Sequence, residues 1–119
     1  MNKPTYEGLL NDYPDMSLYS LNTRLEANSS EVYQNRAKLK AKILLKFLLD
    51  NHLLRNPQNF DFDDKIIDDL EITIQDVTAD GFELFRDYVN NWYKAHDRGT
   101  PIEKITILEK GLAKIREEK

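Results

Sequence analysis

The sequence predicts a mainly α-helical protein, a compact bundle of four to five helices with at most one short extended segment, near residues 72–77. Three observations carry that prediction. Apolar residues recur at spacings of three and four through most of the chain, the period of one helix face. Only four glycines and four prolines interrupt 119 residues, so long stretches lack any helix breaker. Apolar residues make up 40% and charged residues 32%, the balance of a globular chain with one core and not of a disordered one. At this length a single domain spanning residues 1–119 is expected, hiding roughly two-thirds of its unfolded surface.

In chain order, Thr5 to Leu10 reads as a helical turn closed by Asn11-Asp12-Tyr13-Pro14. After Asp15, a candidate cap, Leu18, Leu21 and Leu25 suggest a short helix to about Ala27. Asn28-Ser29-Ser30 breaks it and supplies a new cap, with Glu31 suited to the positive end of the next helix. From Glu31 to about Leu54 no Gly or Pro occurs, and this segment is the expected central helix, stopped by Arg55-Asn56-Pro57. Leu39, Ile43 and Phe47 form one stripe on it, with Tyr33, Ala37, Leu44 and Leu48 beside them and Lys38, Lys42 and Lys46 on the narrow remaining face.

Residues 58–71 are acidic and interrupted, with a short helix plausible from Asp63 to Leu70. Glu71 to Val77 alternates and is β-branched, which suits a strand or an extended connector, but no pairing partner for it is visible in the sequence. Thr78 caps the next expected helix, which carries Phe82, Phe85, Val89, Trp92 and Tyr93 at helical spacing to a stop at Asp97-Arg98-Gly99. Thr100-Pro101-Ile102-Glu103 matches a capping box for a last helix with Ile105, Leu108, Leu112 and Ile115 on one face; a start at Thr106 is the alternative. The two together make a C-terminal helical pair over about 79–117. The expected core includes Leu39, Ile43, Phe47, Phe82, Phe85, Trp92, Leu108 and Leu112, while the burial of Tyr13, Tyr19, Tyr88 and Tyr93 stays open.

The same composition narrows function. There is no cysteine, which removes disulfides, thiol catalysis and thiolate metal sites. No run approaches the roughly 18 apolar residues of a membrane span. Nothing behind Met1-Asn2-Lys3-Pro4-Thr5 resembles a signal peptide, so a cytoplasmic location is expected. Seventeen basic against twenty-one acidic residues give a net charge of −4, the wrong sign for a duplex-binding domain, so nucleic acid is not an expected partner. No phosphate loop, nucleophile elbow or zinc-hydrolase helix motif is present, and the two histidines, His52 and His96, sit far apart in sequence. An enzyme is therefore not expected, and neither is a cofactor.

Three stretches have both a functional and a plain reading. Asp76-Val77-Thr78-Ala79-Asp80-Gly81 fits the first half of a calcium loop, but Glu83 and Asp87 stand where an apolar residue and a bidentate Glu belong. A helix capped by Thr78 accounts for the same residues, and the two cannot both hold. Arg36, Lys38, Lys40, Lys42 and Lys46 interleave with apolar residues as on a membrane-surface helix, or as the lysine-solvated edge of a core helix, which the acidic remainder favours; no membrane partner is expected. Charge is uneven: residues 1–55 carry eight basic and six acidic groups, residues 56–119 nine and fifteen. From Asp61 to Asp80, eight acids stand against one Lys65. Such crowding weakens a fold unless a basic partner or counterions compensate. Phe60, Asp61, Phe62, Asp63, Asp64, Asp68, Asp69 and Glu71 are accordingly the candidate partner-binding residues; the plain reading is a solvated face with its aromatics turned inward.

The stretch Asp76-Val77-Thr78-Ala79-Asp80-Gly81-Phe82-Glu83-Leu84-Phe85, followed by Trp92, Asp97-Arg98-Gly99 and Leu108-Glu109-Lys110, resembles the C-terminal half of small helical bacterial immunity proteins that accompany contact-dependent or polymorphic toxins. The likeness lies within residues 71–116 and includes no catalytic motif. It implies a stoichiometric inhibitor that binds a toxin domain, and an acidic patch would suit a basic toxin cleft. A homo-oligomeric structural or regulatory helical protein is the alternative expectation.

Overall fold

A computed structural model describes residues 5–60, 70–97, 99, 101 and 104–117. The chain is mainly helical, as expected. In order it forms α1 (Tyr6–Asp12), β1 (Ser17–Ser20), α2 (Leu21–Ala27), α3 (Glu31–Asp50), a 3₁₀ turn at Pro57–Asn59 and β2 (Glu71–Thr73). A second 3₁₀ turn (Ile74–Asp76) leads to α4 (Ala79–Leu84), a π turn (Phe85–Val89), α5 (Asn90–Asp97) and α6 (Thr106–Glu117). The α4, π and α5 segments run end to end as one rod.

The N-terminal helices are set by their caps. Thr5 Oγ1 accepts from the Gly8 N–H and starts α1. Residues 17–20, expected to be helical, are instead a strand. Ser20 stays extended at φ −136° while its Oγ accepts from the Thr23 N–H, so α2 begins only at Leu21. β1 pairs antiparallel with β2, Ser17 opposite Thr73, Tyr19 opposite Ile72 and Ser20 opposite Glu71, with an irregularity between Ser17 and Tyr19. The N–H of Leu21 bonds to the Leu70 carbonyl and that of Ile74 to the Met16 carbonyl, continuing the contact at both ends. This is the partner the extended segment lacked in the sequence. Leu70 therefore serves the sheet rather than the end of a helix, and the rest of the helix expected over residues 63–70 lies outside the described residues.

α3 stops at Asp50, four residues before the expected end. The Asn51 side chain donates to the Phe47 carbonyl, and His52 turns left-handed at φ 58°. The Leu53 N–H then reaches back to the Leu48 carbonyl, a closure that normally selects glycine where His52 stands. Of the two apolar stripes on α3, Ala37, Ala41, Leu44 and Leu48 are buried. Of the other stripe, Phe47 is buried as expected and Ile43 is half-buried against the core, while Leu39, expected in the core, is 40% exposed. Periodicity shows that two adjacent stripes exist; the neighbours decide how far along each one is covered.

The C-terminal half follows its sequence signals closely. Thr78 Oγ1 accepts from the Gly81 N–H, so α4 begins at Ala79. Gly81 is required there, since a Cβ would lie 2.7 Å from the Leu53 carbonyl oxygen. The last helix takes the alternative start at Thr106. Trp92, buried at the centre, donates from Nε1 to the Lys104 carbonyl and ties α5 to the approach to α6. The π turn was not anticipated. It sets Tyr88 over α6 so closely that a Cβ on Gly111 would stand 2.5 Å from the ring. One hydrophobic cluster unites β1, α2, α3, β2 and all later helices, with Tyr6, Leu9 and Leu10 of α1 packed on it.

Candidate functional site

Of the candidate partner-binding residues, the structure describes two. Phe60 is half-buried against the core, with its N–H on the Pro57 carbonyl. Glu71 is exposed at the start of β2. Asp61, Phe62, Asp63, Asp64, Asp68 and Asp69 lie outside the described residues. On either side of residues 61–69, Phe60 is half-buried against the core and Leu70 is buried in it. The last two acids of the run serve the fold. Asp76 Oδ2 accepts from the Thr73 N–H at 2.8 Å and from its hydroxyl at 2.9 Å, closing the turn before α4. Asp80 Oδ2 lies 3.9 Å from Arg116 Nε, linking α4 to α6. The residues of the calcium-like stretch are thus a capped helix rather than an open loop, and α4 and the π turn occupy the positions where the later ligands would sit. Among the described residues no three His, Asp or Glu side chains converge as a metal-binding group.

The basic run on α3 divides in two. Lys46 is exposed and pairs with Asp50 at 3.7 Å. Lys40 is buried at 4% exposure, its ammonium 4.1 Å from the centroid of the Tyr93 ring. The Arg24 guanidinium, from α2, lies 3.9 Å from the same centroid and 5.0 Å from that of Tyr19. Tyr19 and Tyr93 are both buried, and their hydroxyls interact with each other without a well-aligned hydrogen bond. Burial pushes both phenols above their ordinary range, and Arg24 acts against the rise. Two cations held on electron-rich ring faces let the amphipathic α3 pack in a core, where a membrane-surface helix would leave its apolar face free. Among the described residues no helix is long and apolar enough to cross a membrane. Sequence reasoning missed this cluster because Tyr19, Arg24, Lys40 and Tyr93 come from four elements with no common spacing.

A groove of about 550 Å³ opens between the C-terminal half of α3 and α6. Ile43, Phe47, Ile105 and Leu112 give it an apolar lining, and Lys46, Asp50, Glu109 and Arg116 add two charges of each sign. Arg116 Nη2 donates to the Asn51 carbonyl at 2.7 Å, pinning α6 to the end of α3. The groove borders the outward stripe of α3 that carries Leu39. His52 is exposed at the left-handed turn, and His96 belongs to α5. No family model matches this chain, and neither a curated protein nor a solved structure does.

Proposed function

We propose that this chain is a stoichiometric protein-binding inhibitor of the immunity type, working without a cofactor in the cytoplasm, and that it captures a basic toxin domain through the acidic stretch from Phe60 to Glu71. The observation that carries the proposal is the concentration of charge: eight acids against one lysine between Asp61 and Asp80. The internal bonds of Asp76 and Asp80 strengthen the argument. They separate acids that build the fold from Asp61, Asp63, Asp64, Asp68 and Asp69, which sit between two core-anchored flanks. Self-repelling charge is a stability cost, and a basic partner offsets it. Such a surface speeds encounter, and aromatic groups beside it can anchor the complex once formed.

The test is capture of a partner by the tagged full chain from its native lysate at low and high salt, followed by co-expression with the captured protein. The expected result is one stoichiometric basic protein whose recovery falls with salt and whose toxicity the chain suppresses. The charge reversal Asp63→Lys, Asp64→Lys, Asp68→Lys, Asp69→Lys should abolish both. Unchanged partner affinity of that variant at low salt refutes the acidic capture surface.

A further inference from the structure

Arg36, Leu39, Ile43, Lys46 and Asp50 follow a three–four spacing within about 40° of one line along α3; Ile43 is half-buried against the core and the other four are exposed. Leu39 projects as an apolar knob at 40% exposure. Two turns along the same helix, Phe47 lines the groove whose other apolar residues are Ile43, Ile105, Leu112 and Ala113. Knob and groove stand side by side on one helix, so a knob can enter a groove only between two molecules. The charges are ordered too, with Arg36 toward the start of the stripe and Asp50 at its end.

We propose that this face binds a second copy of the same chain, the two α3 helices crossing antiparallel at a shallow angle with Ile43 on the two-fold axis. Each Leu39 then meets Phe47 of the other copy at the mouth of its groove, and each Arg36 meets the other Asp50. Every contact occurs twice, as two-fold symmetry requires. Charge disfavours two competing arrangements, although Asp50 also keeps Lys46 of its own helix at 3.7 Å. A parallel arrangement sets Arg36 on Arg36 and Lys46 on Lys46. An antiparallel slip that places Leu39 opposite Ile43 sets Arg36 against Lys46. Both oppose like charges, which weakens them and disfavours the wrong register. The contact is one 20-residue helix and its groove per copy, which is small for an obligate dimer, so the association is reversible, with a Kd on the order of 10⁻⁵ M. The inference goes beyond the inhibitor reading and uses none of the residues assigned to toxin capture.

Sedimentation equilibrium of the full chain over about 5 to 500 µM, bracketing that Kd, provides the test. The expected result is reversible association to twice the 14.0 kDa chain mass. Leu39→Glu should remain monomeric throughout with an unaltered circular dichroism spectrum, since the site is already exposed to water. Arg36→Glu and Asp50→Arg should each weaken the dimer roughly tenfold, and the double variant should recover to within about threefold of the parent. A parent that stays monomeric at the highest concentration overturns the proposal. So does a dimer indifferent to Leu39→Glu, or a double variant no better than its components.

Discussion

Gly111→Ala probes the one place where the π turn and the last helix meet. In an exposed helix interior the change stabilises by about 1 kcal/mol, because alanine restricts the unfolded chain and favours the helix. Here the new Cβ would stand 2.5 Å from Tyr88 Cγ and 2.8 Å from both Cδ atoms, where about 3.5–4.0 Å is comfortable. The ring must retreat by about 1 Å. Its backbone cannot follow, because the neighbouring Phe85 and Val89 are buried. Overpacking of this kind costs about 1–3 kcal/mol. Tyr88 is half-buried, and pivoting toward water holds the cost near 2 kcal/mol. The net effect is a loss of about 1 kcal/mol. In a Tyr88→Ala background the obstacle is gone, and the same substitution should stabilise by about 1 kcal/mol, a coupling of about 2 kcal/mol. Urea unfolding of the four proteins, followed by Trp92 fluorescence and circular dichroism, measures each term as a shift in midpoint at constant slope. Equal stabilisation by Gly111→Ala in both backgrounds would falsify the claim that the π turn presses Tyr88 onto α6.

Three further predictions rest on other elements. His52→Gly should stabilise by about 0.5–1 kcal/mol, since φ 58° strains any residue with a Cβ, and a lowered melting temperature would contradict it. Tyr19 is buried, and its phenol interacts with that of Tyr93. The Tyr19 phenol gives stability a pH limit. Its folded pKa lies above the ordinary 10.0, so its contribution is complete below that value and declines as the unfolded chain ionises above about pH 10. Tyr19→Phe should therefore flatten the alkaline limb of a stability–pH profile, and an identical limb in both proteins would count against the assignment. Last, Gly81→Ala should cost about 2–3 kcal/mol, more than Gly111→Ala, because its Cβ meets a backbone carbonyl that cannot pivot; denaturation midpoints rank the two.

How much could be read in advance depended on how local the signal was. The caps at Ser30 and Thr78 lie within three residues of the amides they bind, and both helix starts were legible. The extended character expected over Glu71–Val77 was legible only for residues 71–73, where it follows from β-branched alternation; Ile74–Asp76 instead form a 3₁₀ turn closed by Asp76 on Thr73. The partner of β2 was not legible, because Ser17–Ser20 lies some fifty residues away and Leu18 there extends the helical spacing of Leu21 and Leu25. The early end of α3 was missed for a related reason: a histidine occupies the left-handed position where the sequence offers no glycine to mark it. Of the partner-binding candidates only Phe60 and Glu71 fall among the described residues, and the tyrosine–cation cluster and the groove could not be read, since each gathers side chains from separate elements.

The sequence by itself determined the helical class, the capped starts of α3 and α4, and the concentration of negative charge, all set by neighbours within a few residues or by composition. The tertiary fold set how far each apolar stripe of α3 is covered, where β2 finds its partner, and that Lys40 is buried over Tyr93 while Leu39 meets solvent. The reason is geometric. A wide apolar arc can be rotated toward the core in more than one way at similar local cost, and only the bulk of the surrounding helices distinguishes the rotations.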